Sequence, residues 1–217
     1  MKIFPWRKSL SGFSQLARPC FTSTSSTRRA SLLIAVPPYA YIMLTAGWIA
    51  WFLPFPLNKW NFSVPERRDN RARWGLALQV VAYSLLWQGH FWERSPGPWR
   101  TTLAALFLIL ASVWSWTGVR ALGRHLRFDA ALSPDHQLVC SGAYRWLRHP
   151  IYTSMFCILL GTGFLFTSLP LFLTSIVVFT VGTEIRVRRE DALLVSRFGE
   201  QFRDYQRTVA AYIPFIR

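Results

Sequence analysis

The chain has 217 residues, of which 52% are hydrophobic, and it contains 11 tryptophans and 17 phenylalanines. Its 25 lysines and arginines outnumber its 10 aspartates and glutamates, which gives a formal net charge of +15. Long apolar runs exclude an ordinary soluble domain. Because the basic residues flank those runs, they indicate membrane topology and anionic lipid headgroups rather than nucleic acid. The three cysteines form no CxxC pair, so neither a structural zinc site nor a disulfide framework is expected.

The first 30 residues form a basic tail. Residues 1–30 are rich in serine, threonine and arginine and contain no acidic residue, since the first one in the chain is Glu66. This composition resembles a transit peptide. A disordered basic tail explains it equally, and that is the interpretation we favour.

Residues 31–119 contain three apolar runs, which predict three transmembrane helices. The first is Ser31–Leu53, where a proline pair near the start is expected to delay or kink the helix and Pro54 to end it. The second is Trp74–Trp92 and the third is Trp99–Val119. The second carries two glutamines and a histidine, so we expect it to pack inside the bundle.

The remaining region, 120–217, opens with a long polar connection and then contains a membrane hairpin, 151–183. The two arms of the hairpin are the apolar runs Ile151–Thr167 and Leu171–Thr183. Because the second arm is short for a bilayer, we expect its helix to continue into the polar segment that follows. Apolar residues then recur every three or four positions over 194–209, with an interruption near a glycine. This spacing predicts an amphipathic helix at the membrane surface.

These elements predict an all-α fold, namely a polytopic membrane helix bundle of about five transmembrane helices with a C-terminal amphipathic helix. Five spans place the 57–73 loop, the 120–149 loop and the C-terminus on one side, and that side carries most of the lysines and arginines. The positive-inside rule makes it the cytoplasmic side. The six basic residues of the tail weigh against this orientation.

Three polar groups gather on the side predicted to be cytoplasmic. The first is His136–Val139 with Tyr144 close behind, the second is Arg148–Tyr152, and the third pairs Arg186 with Glu190 one helical turn later. The proline of the second group suits the first turn of a helix. A hairpin that enters the membrane and returns must bring the third group back to the depth of the second.

These motifs, with Arg-x-x-x-Glu-Asp and Phe-Gly-x-x-Phe-x-x-Tyr after the hairpin, resemble those of the isoprenylcysteine carboxyl methyltransferase family. More broadly, they resemble the membrane methyltransferases that include phospholipid N-methyltransferases. The resemblance covers roughly residues 120–217 and implies that S-adenosylmethionine binds at the cytoplasmic face. The positions that line the cofactor pocket in the family fall on His136, Gln137, Leu138, Val139, Tyr144, His149, Pro150, Ile151, Tyr152 and Glu190.

The resemblance also implies that Arg186 contacts the lipid substrate, and it makes Arg186 and His149 the candidate catalytic residues. The chain departs from the family pattern at Ala143, Ser154 and Asp191, where the family often has proline, glycine and glutamate. A serine in place of glycine could tighten the approach of the backbone to the cofactor. The difference concerns the detail of the pocket and not the class of enzyme.

The chemistry of these side chains fits the implied roles. Methyl transfer from a sulfonium needs alignment and exclusion of water rather than a metal. The Glu190 carboxylate could accept two hydroxyl hydrogen bonds from a ribose, and Tyr144 and Tyr152 could stack on adenine or face the sulfonium. Arg186 could hold a substrate carboxylate through a two-pronged pair. A C-terminal carboxylate, with a pKa of about 3.5, is already ionised at neutral pH, whereas an amine must first lose a proton.

Simpler interpretations exist for the same residues. Arg186 and Glu190 can form a surface pair worth about 0.3–0.5 kcal/mol, and the tyrosines can be interface anchors.

The favoured function is a multi-pass membrane methyltransferase whose lipophilic substrate, such as an isoprenylated cysteine carboxylate, enters from the bilayer. The alternative within the enzyme class is N-methylation of a phospholipid or another lipid amine. The alternative of another class is a non-catalytic membrane scaffold or a transporter-like protein, although no repeated half supports transport. The expected partners are membrane lipids, with no nucleic acid and no metal.

Overall fold

The structure is a computed structural model that describes residues 36–58, 67–68, 71–88, 95–123, 126, 131–132 and 138–213. The predicted tail and two predicted cofactor-binding residues, His136 and Gln137, lie outside the described residues.

The described part of the chain is mostly helical. Its helices are α1 (Pro38–Phe52), the short α2 (Pro54–Leu57), α3 (Ala72–Leu86), α4 (Pro98–Leu122), α5 (Pro150–Phe166), α6 (Leu169–Phe198) and α7 (Glu200–Thr208). A 3₁₀ turn covers Gly142–Arg145. Two-residue strands, β1 (Arg67–Arg68) and β2 (Ala131–Leu132), pair antiparallel and join the two long polar connections.

Prolines set where the helices begin. Pro38, Pro98 and Pro150 occupy the first position of α1, α4 and α5, where the missing N–H has no intrahelical partner to lose. Helix α1 begins at Pro38, the second proline of the pair, and residues 31–35 of the predicted span lie outside the described residues. The prediction for the second span was too long at its C-terminal end, since α3 stops at Leu86.

Three of the described helical segments are long and apolar enough to cross a membrane. They are Pro38–Leu57, Pro98–Leu122 and Leu169–Phe198. The chain is accordingly an integral membrane protein. Helix α3, with 15 residues, is shorter than the span predicted there, whereas α5, with 17 residues, matches the predicted run Ile151–Thr167 to within one residue at each end. At 1.5 Å per residue they measure about 22 and 25 Å, against a hydrocarbon core of about 30 Å.

Helix α6 is the longest element and links the membrane to the polar end of the bundle. The expected continuation of the short apolar run 171–183 is confirmed, because one helix of 30 residues runs through to Phe198. The predicted break near Gly199 is also present. This glycine has φ +56°, a backbone conformation that L side chains rarely adopt, and it lets the chain turn into α7.

The bundle consists of two closely packed helix pairs, α3 with α6 and α4 with α5. In the first pair the backbones almost touch, because a Cβ atom added to Gly75 would lie 2.4 Å from the carbonyl oxygen of Gly182. Small residues of this kind let membrane helices approach closely. The expectation that the second apolar run packs inside the bundle is confirmed at Gln79, which is 1% exposed.

Helix α1 packs against α4 and α5 through polar contacts within the apolar bundle. The indole N–H of Trp48 donates to Thr162, and that of Trp51 donates to Ser154. The Ser154 hydroxyl in turn donates to the Ile151 carbonyl. Hydrogen bonds between helices of this kind hold membrane bundles together. Ser154, one of the departures from the family pattern, therefore directs its side chain toward α1.

Arg100 closes the far end of α5, opposite the 3₁₀ turn. Its guanidinium donates to the carbonyl oxygens of Gly163, Phe164 and Thr167 at 2.7–3.1 Å. These carbonyls lie at the C-terminal end of the helix, where carbonyl groups run out of intrahelical partners. That of Gly163 also accepts from the Thr167 N–H. The cap fixes the point where the hairpin turns back.

Candidate functional site

The site begins at a short segment before α5, residues 147–149, which we call the lip. A chain segment after α7 pairs with it as a parallel bridge between Leu147 and Ala210. The backbone N–H of Arg148 donates to the carbonyl of Ala210 at 2.9 Å, and that of His149 donates to Ala211 at 2.8 Å. The lip is therefore held in place by residues 62 positions further along the chain.

The first group of side chains at the lip is the Asp191 cluster, made of Arg148, His149, Asp191 and Gln206. Asp191 Oδ2 accepts from Arg148 Nη1 at 2.6 Å and from Gln206 at 3.0 Å, while Oδ1 lies 2.9 Å from His149 Nε2. Arg148 also donates to the Val209 carbonyl. Both members of the Arg148–Asp191 pair are less than 10% exposed. Buried charges are stable only when they are paired and hydrogen-bonded in this way.

The second group is the Glu190 cluster, made of Tyr152, Arg186 and Glu190. The Tyr152 hydroxyl donates to Glu190 Oε1, and Arg186 Nη2 lies 3.6 Å from the same oxygen. The Arg186 guanidinium also stacks over the Tyr152 ring, 5.1 Å from its centroid. His149 joins the two clusters, because its Nδ1 lies 3.5 Å from Glu190 Oε2.

Helix α3 contributes a side chain that carries no recognisable motif. Gln79 accepts from Arg186 Nη1 at 3.3 Å through its amide oxygen and donates to the Thr183 hydroxyl at 2.8 Å through its amide nitrogen. Both ends of this buried amide are therefore occupied, as burial of a polar group requires.

Tyr144, in the 3₁₀ turn, lies beside these clusters. The hydroxyl of Tyr205 on α7 donates to the Tyr144 carbonyl. Burial raises the pKa of the Tyr144 phenol well above its usual value of 10.0, and the nearby negative charge of Glu190 raises the pKa further. Burial likewise raises the pKa of Tyr205 above its usual value. Both phenols therefore stay neutral through the physiological range and can donate hydrogen bonds.

Four of the side chains predicted from the sequence meet in the structure: His149, Tyr152, Arg186 and Glu190. The side chain of Ile151 packs instead with Phe55 and Val119, away from the acids. Pro150 lies under Gly118, where an added Cβ would sit 3.4 Å from its ring. Leu138 and Val139 are half-buried in the segment before the 3₁₀ turn.

Asp191 and Gln79 are site residues to which the sequence analysis assigned no role. For Asp191 the signal was its place next to Glu190 on a helix. Successive residues of a helix point about 100° apart, so one histidine can lie between two neighbouring carboxylates and contact both. For Gln79 the signal was a buried amide in an apolar run, which needs a polar partner somewhere in the bundle.

The arrangement fits a polar ligand better than a metal ion. Among the described side chains, no group of three or more His, Cys, Asp or Glu could hold a metal. The Glu190 side chain is 22% exposed, whereas that of Asp191 is 8% exposed. A carboxylate offers about four acceptor positions. Glu190, fixed from one side by Tyr152 and His149, is thus suited to accept hydroxyl hydrogen bonds from a ligand.

Comparison with known proteins gives one family. The sequence model of the isoprenylcysteine carboxyl methyltransferase (ICMT) family matches residues 103–196, which include α5, both acids and Arg186. A protein-S-isoprenylcysteine O-methyltransferase of Tribolium castaneum is 32% identical over 124 residues, covering 54% of this chain and 43% of that protein. The corresponding protein of Schizosaccharomyces pombe is 34% identical over 116 residues, covering 46% and 48%.

A relative with another name is also similar. The cobalt-zinc-cadmium resistance protein CzcN of Cupriavidus metallidurans is 30% identical over 143 residues, covering 65% of this chain and 62% of that protein. The chain thus spans about half the length of the isoprenylcysteine methyltransferases it matches, and somewhat more of CzcN.

The fold also has a counterpart of known structure. A structure of the eukaryotic intramembrane Ras methyltransferase ICMT superposes with a TM-score of 0.51 and 24% identity, covering 83% of this chain and 53% of that one. This likeness extends to the first helices, where the sequence carries no motif. The family resemblance predicted from the motifs is therefore confirmed: over residues 103–196 the chain matches the isoprenylcysteine carboxyl methyltransferase family.

Proposed function

We propose that this protein is a membrane-embedded, S-adenosylmethionine-dependent methyltransferase that acts on the carboxylate of an isoprenylated cysteine or a similar isoprenoid-linked acceptor. The observation that carries the proposal is the convergence of His149, Tyr152, Arg186 and Glu190 at the polar end of a membrane hairpin. The lip supplies His149 and the helices α5 and α6 supply the other three, and all four residues lie in the segment that matches the family.

Glu190 is the residue we assign to the ribose of the cofactor. When bound, S-adenosylmethionine supplies the methyl group and the sulfonium that makes it electrophilic. Tyr152 and His149 hold the Glu190 carboxylate in one orientation, and a fixed acceptor loses less entropy when a ligand binds. His136–Val139, Tyr144 and the backbone of Pro150 and Ile151 complete the proposed pocket.

His149 acts in this proposal as a positioning residue. Its two ring nitrogens face the carboxylates of Asp191 and Glu190, so it is not placed to take a proton from an acceptor. A carboxylate acceptor requires no such step, because its pKa of about 3.5 leaves it ionised at neutral pH. This is the reason to prefer a carboxylate over an amine.

Arg186 is the residue we assign to the acceptor carboxylate. It is 7% exposed, and its guanidinium lies between Glu190, Tyr152 and Gln79. A guanidinium binds a carboxylate most strongly when its plane is fixed, since the two N–H groups must point along parallel lines. The acceptor would approach laterally from the bilayer.

The topology belongs to the same proposal. We assign five spans to a bundle in which α3 and α5 cross as short helices, and exposed tryptophans at both ends of α3, Trp74 and Trp87, suit the two interfaces. The site then faces the cytoplasm, where α7 lies on the membrane surface with Phe202 buried. The three regions remain 1–30, 31–119 and 120–217.

The test is transfer of a labelled methyl group in membranes that contain the protein. Membranes are incubated with methyl-labelled S-adenosylmethionine and an isoprenylated cysteine, and the lipid extract is treated with base. We expect label that base releases as methanol, as an ester requires. Base-stable label in phospholipid would identify N-methylation instead, and no label above that of an Arg186→Ala control would overturn the enzyme proposal.

A further inference from the structure

We infer that helix α3 positions the Arg186 guanidinium and that Gln79 is a positioning residue for the acceptor. The inference rests on the proposed function and adds to it a residue from the region that carries no family motif. Gln79 and Arg186 are 107 residues apart in the chain and meet only because α3 packs along α6.

The head of Arg186 is held by groups from three helices. Gln79 of α3 accepts from Nη1 at 3.3 Å, Glu190 of α6 lies 3.6 Å from Nη2, and the ring of Tyr152 on α5 lies against the guanidinium face. Two in-plane contacts and one out-of-plane contact define the position and the tilt of a planar group. Without the Gln79 contact, the guanidinium plane of Arg186 would be free to rotate while it keeps its contacts with Glu190 and Tyr152.

The stem of Arg186 depends on α3 as well. A Cβ atom added to Gly75 would lie 2.5 Å from Arg186 Cγ. Only a residue without a side chain leaves room for the stem to pass at this point. Gly75 and Gln79 are one turn apart, so the same face of α3 admits the stem and fixes the head.

Gln79 is itself locked, which makes it suitable as a support. Its amide nitrogen donates to Thr183 at 2.8 Å, and its side chain is almost fully buried. Because the amide cannot turn over without losing this bond, its oxygen keeps facing Arg186. The hydrogen bonds of Gln79 with Thr183 and with Arg186 thus make the position of the guanidinium depend on how α3 packs against α6.

The test compares two Gln79 variants with a matched control on the same helix. Gln79→Met has a similar length and no hydrogen bonds, whereas Gln79→Glu keeps an oxygen for Arg186 and can accept from the Thr183 hydroxyl. Tyr83→Phe removes another side-chain hydrogen bond of α3, the partly buried one to the Met155 carbonyl, without touching Arg186. The readouts are the KM for isoprenylated cysteine, kcat, and the Kd for S-adenosylhomocysteine by calorimetry.

For Gln79→Met we expect the acceptor KM to rise about tenfold, as loss of one hydrogen bond to a charged group implies. The Kd for S-adenosylhomocysteine should change by less than about twofold, since Glu190 keeps its other contacts. Gln79→Glu should restore most of the KM, and Tyr83→Phe should leave it unchanged. A merely structural role would move KM and Kd together or would affect Tyr83→Phe equally, and either result overturns the inference.

The two proposals fail in different ways. If the wild-type protein transfers no methyl group to the acceptor, the proposed function falls and this inference falls with it. If the wild type is active and Gln79→Met keeps its acceptor KM, only the role of Gln79 is wrong. Should Gln79→Met not fold, Thr183→Val removes the anchor of the amide alone, and an unchanged KM in that variant would overturn the inference.

Discussion

Glu190 and Asp191 are neighbours in the chain, yet the two carboxylates lie in different surroundings. Asp191 is buried among Arg148, His149 and Gln206, which occupy both of its oxygens. Glu190 keeps 22% of its side chain exposed and is held by a phenol, an imidazole and a guanidinium. The Asp191 cluster joins the lip to residues 206–209, whereas the Glu190 cluster keeps a carboxylate that is partly exposed.

This difference separates stability from binding within one turn of helix. A buried carboxylate whose oxygens are both occupied cannot accept hydrogen bonds from a ligand. Its removal leaves its charged partner buried without a counter-charge, which lowers stability. A partly exposed carboxylate with remaining acceptor positions contributes less to folding and more to recognition. Substitution of Asp191 should therefore mainly lower stability, whereas substitution of Glu190 should mainly weaken ligand binding. Stability and binding must both be measured to distinguish the two effects.

The largest expected effect is on the stability of Asp191→Ala. This change leaves Arg148 buried without its carboxylate, which costs about 3–5 kcal/mol of unfolding free energy. Denaturant unfolding in detergent micelles measures it. The control is Asp204→Ala, because the Asp204–Arg207 pair is exposed and contributes less than about 1 kcal/mol. Equal losses in the two variants would contradict the structural role of Asp191.

The next effect is on cofactor binding by Glu190→Gln. The change keeps the size of the side chain and removes its charge, so the charge-assisted hydrogen bonds proposed for the ribose weaken by about 1.5–3 kcal/mol. The Kd for S-adenosylhomocysteine should rise about 10- to 100-fold.

Calorimetry measures this Kd, with Glu184→Gln as the control on the same helix. Glu184 pairs with the exposed Arg188, so its substitution should leave the Kd unchanged. Unchanged binding in Glu190→Gln would show that the pocket is assigned to the wrong residues.

A smaller effect is expected from Tyr152→Phe. The ring remains against Arg186, but Glu190 loses the hydroxyl that orients it. Loss of one hydrogen bond of about 1 kcal/mol should raise the same Kd about fivefold. Tyr212→Phe, which removes a hydroxyl 3.4 Å from Glu184, serves as the comparison and should have no effect on binding.

The last effect is absent at neutral pH, appears only in alkaline solution and concerns Tyr144. An unfolded tyrosine titrates near pH 10, whereas burial and Glu190 raise the pKa of Tyr144 in the folded protein. The stability that this shift contributes is complete below pH 10 and is lost as pH rises further, by about 1.4 kcal/mol per pH unit. Tyr144→Phe should flatten the decline of unfolding free energy between pH 10 and 11. An unaltered slope would mean that the phenol titrates normally.

The sequence predicted the meeting of His149 and Glu190 because that inference needs only helix rise and bilayer thickness. It also predicted the extension of α6 beyond its apolar run and the break near Gly199. Helix length, helix ends and distance along a helix depend on residues that are close in the chain, so composition and spacing predict them directly.

The rest depends on contacts between distant segments. Gln79 reaches Arg186 because two glycines let α3 and α6 approach, and no periodic pattern encodes which helices become neighbours. The pairing of the lip with Ala210 and Ala211 involves backbone groups, which residue identity does not reveal. The length of α3 was overestimated because aromatic residues continue past Leu86, where the helix ends.

The pairing of the lip with the segment after α7 sets an order of events during synthesis. Arg148 and Val209 are separated by 61 positions, so the ribosome makes α5 and α6 before the segment that completes the lip. Until residues 210 and 211 are made, the backbone N–H groups of Arg148 and His149 lack the carbonyl partners that they have in the folded protein. The membrane hairpin can therefore insert before the lip takes its final form.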